Sequence, residues 1–255
     1  MYKIFLKLAK ILLPTFVKEK IYSIKRIKNS LTPLARRMCN ICKFEGYFKL
    51  WGTPLRIDAL CPSCGSLERH RLLKLAIDRD LIKNFYNKES AVLHFAPEPL
   101  LKKIFLKSFK NYHTADLKVG PNYERADLKL NLENIDVEDN KYDIIIANHV
   151  LEHVDDYKAS KELSRILTKN GIFVCMVPII EGWNETYENN KIIDDKDRWI
   201  HFGQNNHVRF YGKDFRDRIS KGGFNLISEI TAGGEDVVKY SLTRGEKVFV
   251  FQKSF

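Results

Sequence analysis

The chain reads as an α/β protein built on an open, doubly wound, mostly parallel sheet, and three observations carry that reading. Strand-like and helix-like segments alternate from residue 67 to residue 255, the pattern of a parallel sheet covered by helices. The strongest strand signal is "YDIIIAN" at 142–148, and "IFVCMVP" at 172–178 reads as a strand buried on both faces. The size and composition also fit, since 255 residues with 44% hydrophobic and 29% charged side chains suit one α/β domain with a small appendage.

Three regions follow from composition: a basic arm at 1–37, a turn-rich cysteine segment at 38–66 and the α/β region at 67–255. The arm carries +9 of the formal net charge of +11, so the remaining 218 residues are close to neutral. This placement argues against an extended nucleic-acid surface on the body of the protein. Lys3, Lys7 and Lys10 share one helical face opposite Ile4, Phe5, Leu8, Ile11 and Leu12. Beyond Pro14 the pattern resumes with Phe16, Val17, Ile21, Ile24 and Ile27. Such a helix either lies on anionic lipid or packs on the domain or a second subunit. Lysines interrupt every apolar core a signal peptide would need, and no apolar run reaches the roughly 18 residues of a membrane span.

In the α/β region, Ser66 is placed to cap a helix, "SLERHRLLKLAI", that gathers Leu72, Leu73, Ala76 and Ile77 on one face. The spacing then predicts strand 91–95, a helix near 99–109, strand 111–116, a short strand around 124–128 and strand 142–148. A helix over 156–169 buries Ala159, Leu163, Ile166 and Leu167 and stops at "KNG". After strand 172–178, residues 179–211 form a long polar and aromatic segment of the kind used as a lid or binding loop. Helix 212–221 and strands near 224–230 and 247–252 complete the order. The lone Cys175, inside an apolar run, reads as a packed core residue.

Two pairs, Cys39/Cys42 and Cys61/Cys64, are separated by 18 residues, a spacing that suits a four-cysteine tetrahedral zinc site. Gly65 permits the backbone turn after the second pair, whereas Lys43 stands at that point of the first. Redox-active or unligated thiols are the alternatives. Four thiolates leave no open position, so zinc here would staple a small module and perform no chemistry. The absence of a secreted disulfide pattern favours a reducing, cytoplasmic setting.

The succession "VLHFAPEP", "YHTADL", "YDIIIANHVLEHVDDYKASKELSRILTKNGIF", "VPI", "HFGQNNHVRFYGKDF" and "GGF" resembles class I S-adenosylmethionine-dependent methyltransferases. More narrowly, it resembles a bacterial subgroup with a paired-CxxC segment running into "CGSLERHRLL", over about residues 38–253. The resemblance implies a seven-stranded Rossmann-like sheet that binds S-adenosylmethionine across its strand ends. It assigns the cofactor to His94, Ala96, Pro97 and Glu98 of the loop after the first strand, with Glu98 facing the methionyl ammonium. Asp116 would accept the ribose hydroxyls beside Leu117, Asn131 and Leu132 would meet the adenine, and Asn148 and His149 would complete the pocket. The loop "HFAPEP" lacks the glycines usual there, with Ala96 and Glu98 in their places.

Methyl transfer to a hydroxyl benefits from a base near neutral pKa, and His149, His153, His201, His207, Arg209 and Tyr211 are the candidate catalytic residues. Glu152 reads equally as an acid at a helix start, and Arg209 suits an anionic oxygen pair. Arg69, His70 and Arg71 either join the pocket or form a solvated or interdomain face. The resemblance implies O-methylation of a polar or anionic small molecule or sugar, phosphorylated or nucleotide-linked, in surface-polysaccharide (capsule) biosynthesis. The alternatives are an RNA methyltransferase docking RNA through its zinc module, and a non-catalytic assembly protein whose cofactor loop has degenerated.

Overall fold

Along a strand, successive side chains face opposite ways, and the central strands of this chain use both faces for core. The structure, a computed structural model, describes residues 14–79, 87–118 and 126–254. The basic and apolar positions singled out before Pro14 lie outside the described residues. The chain divides between Leu67 and Glu68 into two compact units.

The first unit begins with helix α1 (Thr15–Ser30). Strands β1 (Arg36–Met38) and β2 (Glu45–Tyr47) form one antiparallel hairpin, and β3 (Lys49–Trp51) and β4 (Arg56–Leu60) form a second. Its core is small: Cys39, Phe48 and Cys61 are buried, with Ile41, Phe44, Cys42 and Cys64 packed around them. Arg37 pairs with the buried carboxylate of Asp58 at 2.9 Å.

The second unit follows the order helix α2 (Glu68–Asp78), β5 (Ala91–Phe95), α3 (Pro99–Ser108), β6 (Asn111–Asp116), β7 (Leu128–Lys129) and β8 (Tyr142–Asn148). A short 3₁₀ turn (Leu151–His153), α4 (Asp156–Ile166), β9 (Leu167–Met176), β10 (Tyr187–Glu188), α5 (Asp195–Phe202) and β11 (Arg209–Phe210) come next. The chain closes with α6 (Phe215–Lys221), β12 (Phe224–Thr231), α7 (Gly234–Tyr240) and β13 (Lys247–Lys253). Seven strands form one sheet in the order β12-β13-β9-β8-β5-β6-β7. All neighbours are parallel except the pairs that β13 makes with β9 and β12.

Alternation sorts the sheet's side chains into two cores. Leu93, Ile145, Phe173 and Phe249 pack with α4 and α6 residues such as Leu163 and Ile219. Val92, Ile144, Val174 and Val248 pack with Leu72, Phe105 and Val237 of α2, α3 and α7. Cys175 is fully buried, as its apolar surroundings predict.

Some boundaries differ from the sequence reading. Helix α4 ends at Ile166 and not at 169, because Leu167 already pairs with Tyr142 in the sheet. The last helical carbonyls, of Arg165 and Ile166, accept from the amides of Asn140 and Lys141. The "KNG" turn still forms, with Asn170 left-handed at φ 69°, but it lies inside β9. Among the described residues strand β7 spans Leu128–Lys129, α6 starts at Phe215, and α7 lies where no helix is expected. Segment 179–211 contains α5 between two short strands that pair with each other.

Candidate active site

Strand β5 lies between β6 and β8, so the chain leaves it toward one side and returns on the other. The crevice at the carboxyl ends of strands at such a switch point is where α/β sheets bind ligands. Here it forms a cleft of about 400 Å³. Ala96, Asp116, Leu117, Asn131, Leu132, His149 and His153 all line it. Seven of the residues singled out from the sequence therefore meet in one cleft.

The glycine-free loop after β5 adopts the backbone a glycine would favour: Ala96 is left-handed at φ 46°. Its amide donates to the Ala115 carbonyl at 2.8 Å, which fixes the turn against β6. Pro97 is buried and Pro99 opens α3, where a missing N–H costs nothing. His94 and Glu98 are not on the cleft as expected; they hold the loop from beneath. His94 is fully buried, with Nδ1 2.8 Å from the Tyr112 hydroxyl and Nε2 3.4 Å from Glu98. The Glu98 carboxylate also lies 3.6 Å from Arg69 and 3.7 Å from His70. Burial alone would raise its pKa, but the hydrogen bond and charge interaction with His94, supported by His70 and Arg69, lower it to about 2. Burial lowers the His70 pKa to about 4. Arg71 takes neither of the roles weighed for it, because its buried guanidinium donates to the Tyr240 and Ser241 carbonyls at the end of α7.

At the end of β8, Asn148 is buried with neither amide atom hydrogen-bonded, an orphaned polar group of the kind a ligand completes. His149 follows in the left-handed region at φ 54°. Its Nδ1 lies 3.4 Å from Glu152 and its Nε2 3.6 Å from Glu246. Burial opposes the charge, yet the two carboxylates raise its pKa to about 9. His149 is therefore cationic at neutral pH and is not a base there. His153 Nδ1 faces the Asn206 carbonyl at 3.0 Å, which leaves Nε2 for the cleft. The ring of His207 meets that of His153 edge-on at 4.7 Å, and burial lowers the His207 pKa, keeping it neutral.

A second cleft of about 420 Å³ adjoins the first, and His149 lines both. Its walls come from Val177–Ile179 and Glu181 after β9 and from Thr243–Glu246 before β13. Because β13 runs antiparallel, its start falls at the same sheet edge as the end of β9. Glu181, Arg244 and Glu246 escaped the sequence reading, since nothing local marks the approach to an antiparallel strand as a site.

Three expected catalytic residues lie elsewhere. Arg209 donates to the carbonyls of Leu151 and Val154 at 3.1 and 2.6 Å and to Glu188 at 2.8 Å. Its guanidinium thus ties the 3₁₀ turn to β11 and is not offered to an anion. Tyr211 is fully buried and its hydroxyl donates to the Leu151 carbonyl at 3.0 Å, with burial raising the phenol pKa well above its usual value. His201 is exposed in the last turn of α5, its Nδ1 2.7 Å from the Tyr187 hydroxyl.

In the first unit, the four cysteine sulfurs all lie within 4.8 Å of one another. The Cys39–Cys64 and Cys42–Cys61 separations are 3.6 and 3.7 Å. Zinc–sulfur bonds of about 2.3 Å place tetrahedral sulfurs about 3.8 Å apart, so the geometry fits that ion. Lys43 adopts φ 65°, matching the 71° of Gly65, so the missing glycine does not alter the first turn.

Residues 107–175 match a family model described as a methyltransferase domain. No curated protein matches the chain in sequence. Among solved structures, it is similar to a candidate sarcosine dimethylglycine methyltransferase from Galdieria sulphuraria, with 13% identity, 71% of this chain and 84% of that one covered, and a TM-score of 0.50. It is also similar to YcgJ of Bacillus subtilis (15% identity, 73% and 99% covered, TM-score 0.49). A third is an S-adenosylmethionine-dependent methyltransferase from Mesorhizobium loti (12%, 71% and 100%, 0.47). At these identities the likeness is one of fold. The sheet order is that of a Rossmann-like methyltransferase fold, and the stretch 107–175 within it carries the methyltransferase-domain match.

Proposed function

We propose that the chain methylates a hydroxyl of a polar small molecule or sugar, held in the cleft formed by residues 177–181 and 243–246. The observation that carries this is the junction at His149, where that cleft, which offers Glu181, Arg244 and Glu246 among apolar neighbours, meets the cleft at the switch point. S-adenosylmethionine supplies an electrophilic methyl group when bound. Asp116, Asn131 and Leu132 would hold its nucleoside, and the left-handed Ala96 lets the backbone come close. His153, on the cleft wall with one ring nitrogen free of protein partners, is the residue placed to accept the acceptor's proton. His149 keeps its own proton and orients Glu152 and Glu246.

An anionic acceptor loses the support expected from Arg209. A precursor of a surface polysaccharide remains the acceptor class that the sequence resemblance supports. The cysteine centre is read as structural zinc. Helix α1 presents Phe16, Ile21, Ile24 and Ile27 to solvent alongside five basic residues, which supports peripheral contact with an anionic membrane. No helix among the described residues is long and apolar enough to cross one.

Calorimetry with S-adenosylhomocysteine should show binding, and a screen with labelled cofactor over sugars and sugar nucleotides should yield a methylated hydroxyl. Folded, zinc-loaded protein that binds no S-adenosylhomocysteine would refute the reading.

A further inference from the structure

We infer that Glu152, His153 and His207 form a second metal site, distinct from the cysteines, which takes one divalent transition ion at the wall of the switch-point cleft. One ligand atom from each of the three residues lies within 4.8 Å of the others. The carboxylate is the telling group. Glu152 is fully buried, and neither of its oxygens has a hydrogen-bond partner. A buried ionised carboxylate normally accepts hydrogen bonds or binds a metal. Its nearest cation, His149, stands off at 3.4 Å and shares its charge with Glu246.

The two imidazoles are arranged as ligands. The Asn206 carbonyl at His153 Nδ1 fixes the tautomer that leaves the Nε2 lone pair available, the outer contact typical of a metal-binding histidine. His207 brings its ring edge-on to His153, with Nε2 4.0 Å from Glu152 Oε1. Metal–ligand bonds of about 2.1 Å hold tetrahedral ligand atoms about 3.4 Å apart. Binding therefore draws the three side chains inward by about 1 Å. Two imidazoles and one carboxylate suit zinc, iron(II) or manganese(II), and three protein ligands leave positions open. Of the three, His153 lines the cleft. Its Nε2 then holds the ion and no longer serves as the base; resting on the methyltransferase reading, an acceptor with a second oxygen beside its reactive hydroxyl would occupy the open positions.

The test uses full-length protein with zinc already on the cysteines, titrated with Co²⁺ and followed by visible absorption and calorimetry. The expected result is one further Co²⁺ per chain, without the thiolate charge-transfer band that cysteine ligation would give. His207→Ala and Glu152→Gln should each weaken it about 10- to 100-fold with unchanged circular dichroism, and His207→Ala with unchanged S-adenosylhomocysteine affinity. His207 sits in a connecting segment, so its variant keeps the test open should Glu152→Gln fail to fold. No further Co²⁺ bound by the wild type, or equal binding by a folded His207→Ala, overturns the site. Loss of S-adenosylhomocysteine binding by the wild type would instead strike the methyltransferase reading.

Discussion

The cysteine centre and the Glu152–His153–His207 cluster bring ligand-type side chains together in opposite ways. The first closes four sulfurs around one point from two short turns, each of which places a cysteine pair locally. The second joins a 3₁₀ turn to a residue 54 positions further on, and it opens on a cleft. Local spacing announces a closed structural centre, whereas an open centre exists only after the sheet has brought distant segments to one edge.

That contrast is broken most severely at the cysteines. Cys61→Ser should abolish zinc retention and unfold the first unit, because structural zinc contributes on the order of 10 kcal/mol to such modules. Metal analysis with limited proteolysis checks this, and stoichiometric zinc in a protease-resistant variant would contradict it. Arg209→Ala should destabilise the protein by about 3–5 kcal/mol, the cost of stripping a buried ion pair, read as a lowered melting temperature. An unchanged melting temperature with a raised KM would return Arg209 to the acceptor site.

Asp116→Ala should weaken S-adenosylhomocysteine binding about 10- to 100-fold in calorimetry, as a lost pair of hydrogen bonds to a carboxylate does. A smaller, pH-dependent effect belongs to His70. Its folded pKa of about 4 lies below the unfolded 6.5, so acid protonates the unfolded chain first. The stability is full above pH 6.5 and falls as the pH drops toward 4, by about 2 kcal/mol at pH 5. Glu98, folded near 2 against 4.5 unfolded, loses its contribution only below that window. Urea unfolding at pH 7 and pH 5 should thus show a difference that His70→Asn removes. The smallest expected change is Ala96→Gly, which relieves a left-handed alanine and should raise stability by about 0.5–1 kcal/mol. A lower melting temperature would show that the loop gains more from the methyl group than its backbone loses.

Much of this was legible before any coordinates. The strands 91–95, 111–116 and 142–148 have the predicted bounds: the first and last are apolar runs, while 111–116 begins by alternating exposed and buried positions. Asp116, Asn131, Leu132 and His153 reach the cleft because each leaves a strand or the turn beyond one. Arg209 and Tyr211 misled for a physical reason. Their partner is a main-chain carbonyl, that of Leu151, and carbonyl partners have no signature in side-chain composition. Glu152 resembled an acid at a helix start, while its full burial without a well-formed hydrogen bond, beside His149 at 3.4 Å, depends on distant segments. Glu98 was read as facing ligand, yet the helix carrying Arg69 and His70 supplies its partners.

The two cysteine turns repeat each other bond for bond. In each, the amide of the first cysteine donates to the carbonyl five residues on, and the residue after the second cysteine donates back to the first, at 2.8 to 3.0 Å. The sulfurs then pair across the turns, Cys39 with Cys64 and Cys42 with Cys61. This is a local pseudo-twofold axis. Each half offers two thiolates where a tetrahedral ion needs four, so neither half can hold the ion alone and both must close together. Zinc bound there would make the module a clasp with two equivalent jaws, holding only when both are shut.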